Sequence, residues 1–264
     1  MEIISVINQK GGVGKTTTVI NLAAGLSQLK KKILVIDLDP QGNATTGLGL
    51  SNMDNSSDTI YGVLNGSKEI TQLIKKTEFD NLDIITSNVD LSGIEIETAD
   101  DSNRAFILKA KLASYLNNSR GSYDYVLIDC PPSLSLLTVM ALVSSSSLLV
   151  PLQTEFFALE GLTQLMKTID RIKINLNPDL KIRGILLTMY DKRNKLSSQV
   201  EREARDYFNE KVYSTVIPRN VRLSEAPSHG MPVLIYDKSC PGSKSYFNFT
   251  DEFINQESTN ESAA

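Results

Sequence analysis

The segment at residues 9–17 constrains this chain more than any other part of the sequence. It reads Gln-Lys-Gly-Gly-Val-Gly-Lys-Thr-Thr and joins an apolar run at residues 3–7 to a helical pattern that begins at residue 16. A glycine-rich turn between a buried strand and a helix leaves backbone N–H groups free to approach a phosphate closely. In such a loop Lys15 reaches the β- and γ-phosphates of a nucleotide, and the Thr16 hydroxyl ligates Mg²⁺.

The start of this loop departs from the ordinary phosphate-binding sequence. The ordinary loop has glycine five residues before Gly14, whereas this chain has Gln9 there and a second lysine, Lys10, directly after it. We therefore interpret the segment as a two-lysine variant of the phosphate loop. The candidate nucleotide-binding residues that it contributes are Lys10, Gly11, Gly12, Val13, Gly14, Lys15, Thr16 and Thr17.

Carboxylates follow two further apolar runs. The run at residues 33–36 leads into Asp37 and Asp39, and the run at residues 125–128 leads into Asp129. The carboxyl ends of strands form the edge of an open α/β sheet at which ligands bind. Asp129 is the natural carboxylate for a magnesium shell, Asp39 is placed to orient or deprotonate an attacking water, and Asp37 is expected to hold the loop and the metal's waters. The candidate metal ligands are Thr16, Asp39 and Asp129.

Strand-like and helical patterns alternate along the chain. This alternation predicts an α/β fold with a doubly wound, mostly parallel sheet and helices on both faces. Residues 51–103 are polar, and we expect them to leave the core, with weak helical patterns near 58–64 and 69–76. We expect one domain over residues 1–250 and a disordered acidic tail over residues 251–264. The further predicted strands are 33–36, 82–85, 125–128, 147–151 and 185–189, and the predicted helices are 16–29, 104–117, 134–144, 157–175 and 196–208.

Composition excludes several classes of protein. No apolar run approaches the roughly 20 residues that span a bilayer, and the chain enters a strand almost at once, so we expect no signal peptide. Two cysteines without a CxxC pair suggest a reducing cytoplasm and no disulfide framework. A single histidine argues against a histidine-based zinc site and against a Ser-His-Asp triad.

The net charge of −4 conceals an uneven distribution. Residues 181–244 carry 12 Lys and Arg against 7 Asp and Glu, a balance of +5, whereas the rest of the chain carries −9. A basic segment of this kind is either a solvated surface or a surface that meets an anionic partner, and composition alone leaves both interpretations open.

Five segments together resemble one family of proteins. Residues 10–17, 37–43 and 129–133 look like the corresponding motifs of the deviant Walker ATPases of the ParA/MinD superfamily. Residues 156–162 and 216–230 resemble the chromosome-partitioning ParA branch, also called Soj. The resemblance covers about residues 2–238, and its motifs are specific.

The resemblance implies an ATP-dependent DNA-segregation ATPase that uses ATP and Mg²⁺ and has weak intrinsic activity. Such proteins form an ATP-dependent sandwich homodimer, bind double-stranded DNA without sequence preference, and release it when a ParB-type centromere-binding protein stimulates hydrolysis. The resemblance also implies a cytoplasmic, nucleoid-associated protein. Because the chain begins at the first strand, we expect it to lack the N-terminal DNA-reading domain of larger plasmid relatives and to recognise no operator.

The family's functional residues carry over onto matching positions of this chain. Lys15 matches the phosphate-loop lysine, Lys10 matches the signature lysine that reaches into the partner subunit's site, and Asp39 matches the residue tied to hydrolysis; these three are the candidate catalytic residues. Pro218 and Asn220 match the segment that lines the adenine. Positions implicated in DNA contact correspond to Arg193 and Arg222, and we add the neighbouring Arg219.

Rival functions share the phosphate loop. A MinD-like membrane-cycling ATPase needs a basic amphipathic C-terminal helix, and this chain has no Lys or Arg after Lys244. An iron–sulfur carrier needs cysteines that share a cluster between subunits, whereas Cys130 is better interpreted as a buried thiol. A small-molecule ligase or kinase fits the fold alone, although residues 216–230 do not suit it. A nucleotide-dependent scaffold with little hydrolysis stays open.

Overall fold

One mixed sheet organises the chain. The computed structural model describes residues 1–51, 55–118 and 123–261. The strands in these residues are β1 (Glu2–Val6), β2 (Ile33–Asp37), β3 (Lys75–Lys76), β4 (Leu82–Ile85), β5 (Tyr125–Asp129), β6 (Ser147–Gln153), β7 (Lys181–Tyr190) and β8 (Val212–Pro218). They form one sheet in the order β3-β4-β2-β5-β1-β6-β7-β8. All neighbouring pairs are parallel except β3 with β4.

Helices cover both faces of this sheet. They are α1 (Lys15–Gln28), α2 (Asn43–Gly47), α3 (Ile60–Leu64), α4 (Ile70–Leu73), α5 (Ile94–Glu97), α6 (Ile107–Asn118), α7 (Leu136–Ser144), α8 (Ala158–Asn175), α9 (Lys195–Phe208), α10 (Val221–Glu225), α11 (Val233–Tyr236) and α12 (Pro241–Glu261). Short 3-10 turns lie at Ser56–Asp58, Val89–Gly93, Arg104–Phe106, Asn209–Lys211 and Ala226–His229. Among the helices of the described residues, none combines the length and the apolar character that crossing a membrane requires.

Alternate residues of the central strands enter two separate hydrophobic cores. Leu34 and Ile36 of β2 pack into the core under α3, α4 and α6 to α9. Ile33 and Val35 pack into the core under α1, α11 and α12. A strand that is buried on both faces needs an unbroken apolar sequence rather than an alternating one, and β2 has this sequence. The predicted doubly wound, mostly parallel α/β fold is confirmed.

The prediction that residues 51–103 leave the core is wrong. Strand β4 pairs with β2 in the main sheet, and α3 and α4 bury Ile60, Val63, Ile70 and Leu73 in the first core. The helical pattern near 69–76 ends early, because residues 75–76 form β3 instead. Each of these elements is too short to show a periodic pattern, so its apolar residues appear isolated in the sequence. Residues 52–54 of this segment lie outside the described residues.

The predicted boundary at residue 250 falls inside a helix. Helix α12 continues from Pro241 to Glu261, and Phe249 and Phe253 are fully buried in the second core. The Phe253 ring meets the Tyr125 ring edge to face, with 5.9 Å between the ring centroids. The folded unit therefore extends beyond residue 250, and the disordered tail cannot begin at residue 251. Residues 262–264 lie outside the described residues, and the assignment of one ATPase domain stays a prediction.

Candidate nucleotide-binding site

Three neighbouring strands deliver the predicted residues to one edge of the sheet. Strand β5 lies between β1 and β2, and Asp129 at its carboxyl end is in register with Val6 of β1 and with Asp37 of β2. The loop that follows β1 and the carboxylates that follow β2 and β5 therefore meet at a single place. This arrangement follows from the strand order, because the carboxyl ends of parallel strands share one edge.

The glycine loop presents the start of α1 to a cavity. Gly12 and Gly14 have φ values of 74° and 92°, which a residue with a Cβ rarely adopts. Gly14 precedes the first residue of α1, and among the described residues no side chain caps this helix start. The first N–H groups of α1 are thus available to an anion, and the helix dipole favours negative charge at that point.

Lys15 lies at the base of the loop and is almost completely buried. Its Nζ donates a 2.9 Å hydrogen bond to the carbonyl of Lys10. Burial lowers the pKa of the Lys15 ammonium, and the negative charge of Asp129 opposes this shift. The ammonium is placed where a phosphate oxygen would replace the carbonyl as its acceptor.

Thr16 and Asp129 form a second contact at the same edge. The Thr16 hydroxyl donates a 2.7 Å hydrogen bond to Oδ2 of Asp129. Within the described part of the chain, the buried Oδ1 atom of Asp129 has no hydrogen-bond partner. Burial raises the pKa of Asp129 well above its ordinary value, and the charge of Asp37 adds to this shift. A carboxylate held in this way gains stability from a cation beside it. The pair therefore fits Mg²⁺.

The described residues contain no group of three His, Cys, Asp or Glu side chains that could hold a metal ion by themselves. Magnesium in nucleotide sites commonly takes one or two protein oxygens and completes its shell with phosphate and water. Thr16 and Asp129 supply two such oxygens. The chemistry of the donor set thus fits a metal bound together with a nucleotide, and does not fit a protein-only cage.

Asp37 and Asp39 have different surroundings. Asp37 is fully buried and accepts hydrogen bonds from the backbone N–H and the hydroxyl of Thr45, at 2.8 and 2.7 Å, and from the N–H of Asp39. Burial raises the pKa of Asp37 to about 6. Asp39 accepts a bond from the N–H of Gln41 and lines the cavity. Asp37 therefore shapes the loop that carries Asp39, and Asp39 faces the cavity.

The cavity has a volume of about 610 Å³, and residues from the end of β8 onward contribute to its lining. Pro218 at the end of β8 and the following Arg219 and Asn220 line the same cavity as Gly14 and Lys15 of the loop. The side-chain oxygen of Asn220 accepts from the N–H of Arg222 and caps α10. Phosphate-binding and predicted adenine-lining residues therefore face one continuous space.

Two loop residues do not line this cavity. The Lys10 side chain is 53% exposed and forms an ion pair with Glu155 instead. Val13 is buried, and its carbonyl accepts a 2.8 Å hydrogen bond from the Thr188 hydroxyl. The structure thus brings Lys15, Thr16, Thr17 and the glycines of the loop to the cavity and leaves Lys10 outside it.

Of the three candidate DNA-contact arginines, two form ion pairs with nearby carboxylates and the third lines two cavities. Arg193 forms two 3.1 Å bonds to the carboxylate of Asp191. Arg222 pairs with Glu225 at 2.7 Å and approaches Asp237 at 3.4 Å. Arg219 lines the nucleotide cavity and also a second cavity of about 430 Å³, which Lys192 and Arg193 share.

Sequence reasoning missed three residues that hold the site together. Asn8 links the loop to β6, because its Nδ2 donates to the carbonyl of Pro151 at 2.8 Å and its Oδ1 accepts from the N–H of Lys10. Thr45 holds Asp37, and Thr188 holds the loop carbonyl at Val13. The sequence does contain a signal for Thr45, because a small polar residue near a helix start and close to two carboxylates is a candidate partner for one of them. The contact of Thr188 joins positions 175 residues apart and leaves no signal in the sequence.

Comparison with known proteins places the chain among relatives of similar length. A family model described as an AAA domain matches residues 1–182. The chain is 51% identical over 257 residues to the chromosome partitioning protein ParA of Caulobacter vibrioides, covering 97% of this chain and 95% of the relative. It is 48% identical over 251 residues to the sporulation initiation inhibitor protein Soj of Bacillus subtilis, covering 95% and 97%.

A solved structure has the same overall fold. It is cobyrinic acid a,c-diamide synthase from Mycobacterium smegmatis with bound ADP and magnesium. It aligns with a TM-score of 0.83 at 33% identity and covers 98% of this chain and 96% of that chain. Its identity to this chain is lower than that of the partition relatives.

The fold and the site define a P-loop nucleotide-binding protein whose loop carries the second lysine of the deviant Walker type. Within that class, the chain belongs to the ParA/Soj family of chromosome-partitioning ATPases, part of the ParA/MinD superfamily. The resemblance noted from the sequence motifs is confirmed.

Proposed function

We propose that this chain segregates DNA through a cycle controlled by ATP and Mg²⁺. ATP drives two copies into a sandwich dimer, the dimer binds double-stranded DNA without sequence preference, and hydrolysis releases it. The intrinsic hydrolysis is weak, and a ParB-type centromere-binding protein stimulates it. The protein accordingly resides in the cytoplasm on the nucleoid. Relatives named as chromosome-partitioning proteins support this proposal.

One observation carries the proposal: the two lysines of the loop have different surroundings. Lys15 is buried at the cavity, whereas Lys10 lies outside it with its side chain 53% exposed. A lysine that does not face its own subunit's cavity is available to a nucleotide held by a second subunit. Two nucleotides held face to face would repel each other strongly, and a lysine from each subunit would offset this repulsion.

The residues at the cavity have separate tasks in nucleotide binding and hydrolysis. Lys15 and the free N–H groups of α1 bind the phosphates. Thr16 and Asp129 would hold Mg²⁺, which would supply positive charge beside the phosphates. Asp39 orients the attacking water and accepts its proton. Pro218 and Asn220 line the adenine.

The basic segment at residues 181–244 supplies the DNA surface. Arg193 lies in the loop after β7, Arg219 directly follows β8, and Arg222 lies in α10. Contacts from these side chains to phosphate would carry no sequence information. One copy presents few of these contacts, and pairing doubles them. DNA affinity would thus depend on ATP through the dimer alone.

Retention on non-specific DNA in ATP, compared with ADP, tests this function. Random duplex DNA should retain the protein with ATP and Mg²⁺ and release it with ADP. Retention that is equal in ATP and ADP would contradict the proposal. Anionic lipid vesicles serve as a second surface for the membrane-cycling alternative. We expect no retention there, since Phe249 and Phe253 of the C-terminal helix are buried in the core.

A further inference from the structure

The ammonium of Lys10 has a defined partner in its own subunit. It forms an ion pair with Oε1 of Glu155, which lies two residues after the end of β6. The Lys10 side chain is 53% exposed and that of Glu155 is 27% exposed, although the Oε1 atom of Glu155 is itself buried. The pair therefore joins the phosphate loop to the segment that follows β6, across 145 residues of sequence.

The backbones on both sides of this ion pair are fixed. Lys10 donates its N–H to Asn8 Oδ1 at 3.0 Å and accepts at its carbonyl from Lys15 Nζ at 2.9 Å. Asn8 also donates to the carbonyl of Pro151 in β6 at 2.8 Å. Glu155 sits in a turn in which its N–H donates to Gln153 and its carbonyl accepts from Ala158, both at 3.0 Å. These hydrogen bonds hold both backbones, and Lys10 can leave Glu155 by rotation of its own side chain.

We propose that Glu155 is a positioning residue that holds the Lys10 ammonium against its own subunit until a second copy of the chain takes it. The inference rests on the proposed dimer, because the nucleotide of the second copy is the competing anion. A nucleotide in the same subunit also acts on the pair, since it competes with the Lys10 carbonyl for the Lys15 ammonium. Glu155 thus opposes dimer formation, because each dimer that forms must break two of these ion pairs.

The expected effect is moderate, because partly exposed ion pairs contribute little. One such pair changes an equilibrium by roughly threefold. Two pairs break in each dimer, so removing the carboxylate should lower the dimer dissociation constant by about tenfold.

The first experiment measures the ion pair in the monomer without nucleotide. The variants are Glu155→Gln, Glu155→Asp as the conservative replacement, and Glu160→Gln as a matched control on the exposed surface of α8. An amine-acetylating reagent labels the lysines, and mass spectrometry follows the Lys10 peptide relative to exposed Lys167. We expect Lys10 to react about threefold faster in Glu155→Gln, at the wild-type rate in Glu160→Gln, and at a rate near the wild type in Glu155→Asp. Equal rates in wild type and Glu155→Gln would overturn the inference.

The second experiment measures dimer formation with ATP and Mg²⁺ by light scattering over a range of protein concentrations. We expect Glu155→Gln to form dimers at about tenfold lower concentration than wild type, and Glu160→Gln to match wild type. An unchanged or weaker dimer in Glu155→Gln would overturn the inference while the proposed function stands. A wild type that stays monomeric at every ATP concentration would overturn the proposed function, and this inference with it.

Discussion

The hydroxyl of Thr16 donates a 2.7 Å hydrogen bond to Asp129 Oδ2, across 113 residues of sequence. Thr16 is the second residue of α1 and Asp129 is the last residue of β5. The contact leaves Oδ1 of Asp129 buried and without a hydrogen-bond partner among the residues that the structure describes. An unpartnered buried carboxylate oxygen is costly unless another group satisfies it. A cation bound beside Thr16 and Asp129 would offset this cost, which makes this pair the point at which metal dependence can be tested.

Replacing Thr16 by Ala should weaken nucleotide binding only when Mg²⁺ is present. We expect the affinity for ATP with Mg²⁺ to fall by at least about tenfold, because the metal loses an oxygen ligand or its support. Without Mg²⁺, in EDTA, the affinity of the variant should match that of wild type. Nucleotide titrations under both conditions measure this. Thr16→Ser keeps the hydroxyl and should behave as wild type. An equal loss with and without Mg²⁺ would assign Thr16 to phosphate binding alone.

Replacing each of the two lysines of the loop should block a different step, ATP binding in one case and dimer formation in the other. Lys15→Ala should abolish ATP binding, because the site loses its buried cation for the β- and γ-phosphates. Lys10→Ala should bind ATP as a monomer and form no ATP-induced dimer. A nucleotide titration and light scattering with ATP separate the two effects. A Lys10→Ala dimer as abundant as that of wild type would refute the cross-subunit role, and near-normal ATP affinity in Lys15→Ala would remove Lys15 from the site.

Asp39→Ala should separate nucleotide binding from turnover. The variant should bind ATP but hydrolyse it on the order of 10²-fold more slowly or worse, since a water-positioning carboxylate is lost. ATP-bound dimers should then accumulate. Asp39→Asn provides a matched variant, because it keeps an oxygen for the N–H of Gln41 and loses only the charge. Phosphate release at the wild-type rate in both variants would make Asp39 structural.

Motif-bearing parts of the site could be predicted from the sequence, and the contacts between distant segments could not. The loop, Asp37, Asp39 and Asp129 each follow an apolar run, and parallel strands bring such positions to one edge. The pairing of Lys10 with Glu155 depends on β1 and β6 being neighbours. No local sequence pattern predicts that these two strands are neighbours. The sequence pattern does not predict β8, because its irregular pairing with β7 breaks the alternation of buried and exposed residues.

The C-terminal helix α12 should contribute strongly to the stability of the fold. This expectation contradicts a domain boundary at residue 250. Phe253 is fully buried, and the Arg183 guanidinium lies 4.6 Å from its ring centroid. Phe253→Ala should lower the free energy of unfolding by about 3–5 kcal/mol, the usual range for a buried phenylalanine. Phe247 on the same helix is 41% exposed, so Phe247→Ala should cost about 1 kcal/mol or less. Urea unfolding without nucleotide gives both values. Equal losses in the two variants would show that Phe253 does not anchor α12.

Removing two arginines should weaken DNA binding without affecting the dimer. Arg193 and Arg222 are held by Asp191 and Glu225 in the free protein, but these pairs are exposed and phosphate competes with them readily. Arg193→Ala combined with Arg222→Ala should lower DNA affinity and flatten its salt dependence. Each lost phosphate contact reduces the slope of log affinity against log salt by about 0.9, and a dimer loses up to about four contacts.

The control for this double variant removes two charges from another surface. Lys167 and Arg171 are exposed on α8, and Lys167→Ala combined with Arg171→Ala should leave the salt slope unchanged. DNA binding is measured on random duplex at several salt concentrations with ATP, and light scattering verifies that both double variants still form ATP-dependent dimers. If the Arg193 and Arg222 variant binds random duplex with the affinity and salt slope of wild type, the DNA surface lies on a different part of the molecule. If the α8 control loses affinity to the same extent, the effect reflects net charge rather than a defined surface.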